Sequence, residues 1–259
     1  MHIPIYQIDA FTDERFHGNP AAVCVLDAWL PDKMLQDIAA ENNLAETAFV
    51  VGKSNSIELR WFTPALEVDL CGHATLATAY VFKEHLGYEP DEISFKTKSG
   101  VLTVLYGGDM MSMIFPRRPG QPSHAIAELA DALGAQPQEV LKSRDFLAVF
   151  QDEAEIRSIT PNFEKVRALD CLGIIVTAPG MNSDFVSRYF APQAGINEDP
   201  VTGSAHTTLI PYWSARLRKK QLAAFQVSQR GGKLFCEDLG DKVKISGKAV
   251  TFFAGSMIV

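Results

Sequence analysis

The chain repeats itself once, and that repeat limits its possible folds more than any other feature. Arg60-Trp61-Phe62-Thr63-Pro64 returns as Arg188-Tyr189-Phe190-Ala191-Pro192, 128 positions later. Beyond the prolines, Gly72-His73-Ala74-Thr75 matches Gly203-Ser204-Ala205-His206 once three extra residues in the later copy are allowed. A further echo pairs Phe95-Lys96-Thr97 with Phe225-Gln226-Val227, each just ahead of a glycine turn. Every copy reads as a strand, a loop and the start of a helix, which implies two similar halves around one cleft. Periods of about 20 to 50 residues, the mark of solenoids and propellers, are absent.

The remaining segments fit that plan. Residues 3–12 and 21–26 are rich in β-branched and aromatic residues, with Phe16-His17-Gly18-Asn19-Pro20 as a turn between them, so a hairpin is expected. Pro31 opens a helix that buries Met34, Leu35, Ile38 and Ala39 and ends at Asn42-Asn43, which puts Glu46 at the entrance of the next strand. Strands 57–63, 93–97, 101–106 and 110–115 and a helix from Gly72-His73 to Leu86 complete the first half. Arg117-Arg118-Pro119-Gly120-Gln121-Pro122 has the composition of a linker, which sets the expected domains at 1–118 and 119–259. The opening hairpin has no evident counterpart in the second half. The apolar stretch 249–259 is a spare strand expected to cross back to the first domain.

A length of 259 residues suits two domains of ordinary size, and 47% hydrophobic with 21% charged residues is globular composition. Net charge is -7 and no basic patch is denser than Arg216-Leu217-Arg218-Lys219-Lys220, so nucleic acid is not an expected partner. No run is long and apolar enough to cross a bilayer, and residues 1–14 lack the pattern of a signal peptide. A cytoplasmic protein without a membrane partner is expected. The four cysteines, Cys24, Cys71, Cys171 and Cys236, form no CxxC pair, which argues against both a zinc site and a disulfide framework. No metal is expected.

Chemistry concentrates at the two repeated helix starts. Unpaired backbone N–H groups and a partial positive charge make Gly72-His73 and Gly203-Ser204 natural seats for a carboxylate. Glycine at such a place also serves simply to turn the chain. Glu46, if held in an apolar groove, would have a raised pKa suited to taking and returning a proton; exposed at a strand end it would do nothing. Asp199 either faces a ligand or caps the following helix. His73 can transfer a proton, donate a hydrogen bond or pack, and Ser204 can bind a ligand or cap. A nucleophilic Ser204 lacks a base, because His206 on the same helix would face away from it. Cys71 beside a helix start would be an acidified thiol, but its counterpart in the second half is Thr202, which breaks the two-thiol arrangement of a stereoinverting enzyme.

The stretches Ile8-Asp9-Ala10-Phe11-Thr12 with Phe16 to Val23, Ala40 to Val50, Arg60 to Pro64 with Cys71 to Ala77, Arg188 to Pro192 with Glu198 to His206, and Gln229 to Gly232 together resemble the phenazine biosynthesis PhzF-like isomerase family, which shares the diaminopimelate epimerase fold. The likeness runs the full length. It implies an α+β fold of two pseudo-symmetric domains, each a mostly antiparallel barrel-like sheet around a central helix. It also implies an isomerase that needs no cofactor, acting on a small carboxylate-bearing substrate and forming a homodimer. Matched to the family's motifs, Glu46, His73 and Asp199 are the expected catalytic residues, and Gly72, Gly203, Ser204 and Asn19 the expected substrate-binding ones. Ala45 departs from the family, which often has Ser before the glutamate. Two other readings compete: a racemase or epimerase using Cys71, and a module that binds a metabolite or protein without catalysis.

Overall fold

The computed structural model describes residues 1–52 and 56–259. The chain divides into two compact units, one made of Met1–Ile114 with Ser246–Val259 and the other of Phe115–Ile245.

In the first unit β1 (His2–Ala10) and β2 (Asn19–Leu26) form the hairpin, with Ala10 opposite Asn19. Their connection is pinned from within. Buried Asp9 accepts the Phe16 N–H at 2.9 Å, and Gly18 turns with φ of 67°, where a Cβ would meet the Ala10 carbonyl oxygen at 2.2 Å. Only glycine fits there, and the turn delivers Asn19 to the first position of β2. Helix α1 (Asp32–Asn42) is ended by Asn43 in the left-handed region and buries Leu35, Ile38 and Ala39. It crosses over to β3 (Glu46–Val51), which lies parallel to β2 with Glu46 opposite Ala21. Then follow β4 (Ile57–Phe62), β5 (Glu67–Val68), α2 (Gly72–His85), and the antiparallel run β6 (Glu92–Thr97), β7 (Gly100–Gly107) and β8 (Met110–Pro116).

Helix α2 is the centre of this unit, packed on β1, β2, β3 and β7. Residues His73 to Ala79 are all buried, which an amphipathic surface helix never shows. Its sequence permits this by using small side chains and by returning hydroxyls to the backbone: Thr75 donates to the Cys71 carbonyl at 2.6 Å and Thr78 to that of Ala74 at 2.7 Å.

The second unit runs β9 (Gln121–Pro122), α3 (Ile126–Leu133), β10 (Glu139–Lys142), β11 (Phe146–Val149), α4 (Glu153–Ser158), α5 (Phe163–Ala168), β12 (Ile174–Pro179), β13 (Phe185–Ala191), β14 (Ile196–Asp199), α6 (Gly203–Leu217), β15 (Gln221–Gln226), β16 (Gly232–Asp238) and β17 (Lys242–Gly247). Helix α6 is the buried counterpart of α2 and contains Pro211, which has no N–H to offer the Thr207 carbonyl. The Arg118 N–H takes that place at 3.0 Å. The last strand, β18 (Ala249–Ile258), lies antiparallel to β1 from Ala10 opposite Ala249 to His2 opposite Ile258.

The repeat is structural down to hydrogen bonds. Phe62 stands opposite Glu67 across β4 and β5, as Phe190 stands opposite Glu198 across β13 and β14. Arg60 forks onto Glu67 at 2.7 and 2.9 Å, and Arg188 forks onto Glu198 at 2.7 and 2.9 Å. Two sequence readings need correction. The opening hairpin does have a counterpart: β11 lies parallel to β12 as β2 does to β3, and β10 pairs antiparallel with β11 as β1 does with β2. Its four residues, with only Val140 buried, give no apolar run to detect. The echo of Phe95 with Phe225 is displaced by one residue. Thr97 closes its hairpin opposite Gly100 and Gln226 closes its own opposite Gly232, so Phe95 corresponds to Ala224, both of them buried. On a strand a one-residue slip changes the face, which is why the distinction matters.

Candidate active site

In the first unit three elements converge. The turn into β2 supplies Asn19, the first residue of β3 supplies Glu46, and the start of α2 supplies Gly72 and His73, with Cys71 as the residue before the helix. Glu46 Oε2 lies 3.1 Å from His73 Nε2, out of line for a hydrogen bond but close enough for strong charge coupling, and both side chains are largely buried. On the other side of the ring, Nδ1 is 3.3 Å from Asn19 Nδ2 and 3.5 Å from Cys71 Sγ. Asn19 is fully buried, so its amide is held where it can favour one protonation state of the imidazole over another.

Electrostatics separates the two neighbours of His73. Burial first, and the Glu46 carboxylate second, push the Cys71 thiol above its ordinary value, so the acidified thiol expected beside a helix start is not present. Burial also opposes charge on His73, but its Cys71 and Glu46 neighbours outweigh it and raise the imidazole well above its ordinary range. With the thiol protonated, the carboxylate is the partner that sustains the imidazolium. Glu46, Cys71 and His73 also offer ligand atoms within 4.8 Å of one another. They surround the ring rather than share a side of it, with Glu46 at Nε2 and Cys71 at Nδ1, and one ion can use only one of those nitrogens. The trio therefore fits a proton-transfer cluster better than a single-metal centre.

The second unit builds a different surface at the matching place. Asp199 ends β14, is 8% exposed and accepts the Thr202 hydroxyl at 2.5 Å. Thr202, the residue before the helix, is thus turned away from the first N–H groups, and neither α2 nor α6 has a side-chain cap. Gln226, fully buried, holds the intervening loop: its Oε1 accepts the Thr202 N–H at 2.8 Å and its Nε2 donates to the Asp199 carbonyl at 2.8 Å. The sequence reading missed Gln226, although buried Leu222 and Ala224 put position 226 on the inward face of β15. A polar residue in that register is the signal. Ser204 Oγ accepts from Arg144 Nη2 at 3.2 Å, a second residue not anticipated. His206 faces away from Ser204, as its position on the helix predicts. Its Nδ1 sits 2.8 Å from the Thr202 carbonyl oxygen, where Thr75 bonds Cys71 in the first unit, and burial above all pushes its pKa down to about 4.

The structure thus brings together Asn19, Glu46, Gly72 and His73 in one unit and Asp199, Gly203 and Ser204 in the other. With that geometry in hand, a model of the phenazine biosynthesis-like protein family matches residues 8–255. The chain belongs to the phenazine biosynthesis-like (PhzF) family. An uncharacterized isomerase of Pseudomonas aeruginosa is 51% identical, with 99% of each chain covered. The crystal structure of a PhzF family protein from Enterococcus faecalis matches with a TM-score of 0.98 at 47% identity, covering 100% of both chains. A probable proline racemase from Agrobacterium radiobacter shares the fold at a TM-score of 0.62 and 9% identity, covering 99% of this chain and 93% of that one. The expected α+β, epimerase-like fold class is therefore the observed one. Among the described residues no helix is long and apolar enough to cross a membrane.

Proposed function

We propose that this PhzF family chain is an isomerase that moves a proton on a small carboxylate-bearing substrate, with Glu46 as the general acid and base and no cofactor required. The observation that carries the reading is the contact of Glu46 with His73 at 3.1 Å at the uncapped start of α2. A carboxylate beside an imidazole of raised pKa can accept a proton while the imidazolium steadies the charge it leaves behind. His73 then either passes the proton on or orients Glu46, and the N–H groups of Gly72 and His73 stabilise the negative charge that develops as the proton leaves. In the second unit Asp199, Gly203 and Ser204 are assigned to the substrate. Ala45, next to Glu46, offers no hydroxyl, and Asn19 and Cys71 are polar groups beside His73.

The racemase reading through Cys71 is disfavoured on two grounds: its thiol is held protonated, and the matching residue of the second unit is Thr202. Solvent exchange tests the proposal. A panel of small carboxylic acids with acidic C–H bonds, incubated with the protein in D2O, should include at least one that gains deuterium. Glu46→Gln should slow that gain by about a hundredfold or more, the contribution expected of a positioned acid–base group. Exchange at the wild-type rate in Glu46→Gln rejects the assignment; exchange lost in Cys71→Ala but kept in Glu46→Gln selects the racemase reading. No exchange by the wild type selects a binding module. The reading also includes a homodimer, which sedimentation velocity rejects if the purified chain runs as a monomer.

A further inference from the structure

A contact at the start of α6, that of Arg144 with Ser204, identifies a residue of the site that the repeated motifs do not mark. Glu46 stands opposite Ala21 across parallel β3 and β2, and Ile174 stands opposite Phe146 across parallel β12 and β11. Phe62 stands opposite Thr47 and its counterpart Phe190 stands opposite Ile174, so Ile174 corresponds to Thr47 and Glu46 to Gly173. Across the parallel pairs Ala22 therefore matches Phe146, and Arg144, two residues before Phe146, falls at the place of Pro20, next to Asn19. The contacts at the two helix starts run between these neighbouring positions. Asn19 reaches His73 at 3.3 Å and Arg144 reaches Ser204 at 3.2 Å, and His73 and Ser204 are themselves counterparts. Where the first unit holds an amide against its central helix, the second holds a guanidinium.

That guanidinium is fixed rather than loose. Arg144 sits in a three-residue turn between β10 and β11, and the next residue, Asp145, is 2% exposed. Arg144 Nη2 lies 2.8 Å from Asp145 Oδ2, and Nε is 3.3 Å from both carboxylate oxygens. Tyr189 donates to Asp145 Oδ1 at 3.3 Å and completes the support. One edge of the fork is thereby occupied, while the side chain keeps 39% of its exposure. A buried acid pinning an exposed arginine costs desolvation, and its use is to hold a planar donor in one orientation.

We propose that Arg144 is a specificity-determining residue that recognises the carboxylate of the substrate, in company with Ser204. This rests on the isomerase reading above and adds the residue that selects the ligand's charge. The charge balance chooses the class of anion. Asp145 already neutralises Arg144, and both Asp145 and Asp199 act on the Tyr189 hydroxyl, so two carboxylates lie close by. One guanidinium against two carboxylates leaves no surplus positive charge, so a phosphate dianion is repelled more strongly than a carboxylate monoanion, which Arg144 takes through directed hydrogen bonds.

The test is an NMR titration of the full-length protein with sodium acetate and, separately, with inorganic phosphate at constant ionic strength. Acetate should shift the Arg144 Nε–H and the Ser204 amide signals in a saturable way, with phosphate at least about tenfold weaker. Arg144→Gln should weaken the acetate response of Ser204 by about tenfold, the lower end of what a charge-assisted hydrogen bond contributes, and Arg144→Lys should recover part of it. Glu46→Gln should titrate like the wild type, so loss of proton exchange and loss of anion recognition are read apart. Wild-type signals that ignore acetate, an Arg144→Gln response equal to wild type, or tighter binding of phosphate than acetate would each overturn the proposal.

Discussion

Gln226→Leu tests whether the loop that carries Asp199 and Thr202 is held by one buried side chain. Gln226 is fully buried and bonds two backbone groups, the Thr202 N–H and the Asp199 carbonyl, at 2.8 Å each, with a third contact to the Thr202 hydroxyl at 3.2 Å. Leucine keeps most of the volume but none of the bonds. Each backbone group left buried without a partner costs about 1–3 kcal/mol, so two cost about 2–6 kcal/mol, and the more favourable burial of leucine offsets about 1 kcal/mol. A net loss of about 3 kcal/mol is expected. Urea unfolding of the variant should show a lower midpoint at unchanged slope, and hydrogen exchange should show the Thr202 amide losing protection before its neighbours in α6. Gln226→Glu makes the cause specific, because it can still accept the Thr202 N–H but cannot donate to Asp199. A Gln226→Leu protein within about 0.5 kcal/mol of wild type, with Thr202 still protected, would refute the reasoning.

Two other outcomes follow from the same structure. Arg188 donates to the carbonyls of Ile156 and Ile159 as well as to Glu198, whereas Arg60 adds only the exposed Asp32 to Glu67; Arg188→Met should therefore cost about 3 kcal/mol and Arg60→Met clearly less in matched urea titrations, and equal losses would contradict the assignment. The folded-state pKa of His73 lies above its ordinary value, so the stability its charge contributes is fully present below about pH 6.5 and is lost as pH rises through the folded value. Glu46→Gln removes the carboxylate and leaves burial to dominate, so the His73 ring signals should titrate below the ordinary value in the variant and above it in the wild type; coincident NMR titration curves would reject the coupling.

Much of the fold was legible because the repeat is carried by residues with fixed geometric work. Arg60 and Arg188 must fork onto a carboxylate across a strand pair, and Gly72 and Gly203 must open a helix, so those types recur at matching places. The β10–β11 hairpin was not legible, because four residues with one buried side chain leave no periodic signal. Phe95 and Phe225 misled for the opposite reason. Both are aromatic strand residues ahead of a glycine turn, and only the hydrogen-bond register shows that they point to different faces. At the site, Glu46, His73 and Asn19 come together from segments up to 54 residues apart, and their motifs pointed to each singly. Their mutual distances, and the burial that keeps Cys71 protonated, depend on packing that no local pattern encodes.

Comparing the two units position by position also bears on the proposed use of a single carboxylate. Glu46, Cys71 and His73 in the first unit correspond to Gly173, Thr202 and Ser204 in the second. None of these three offers a group that carries a proton near neutral pH, and the Tyr189 ring fills the space where a side chain at Gly173 would stand. The second unit instead has Asp199 where the first has Val68, and the Arg144 guanidinium on Ser204 where the first has the Asn19 amide beside His73. A duplicated fold with a base in each half can take a proton from one face of a carbon and return it to the other. On the proposed reading the halves divide the work: the first supplies the proton carrier and the second the charges that grip the ligand. Such an enzyme should return a proton to the face from which it was removed, so the deuterium introduced at a stereogenic carbon of an exchanging substrate should appear with retained configuration. Inversion at that carbon would demand a second proton carrier, and would show that the counterpart positions are not the ones that matter.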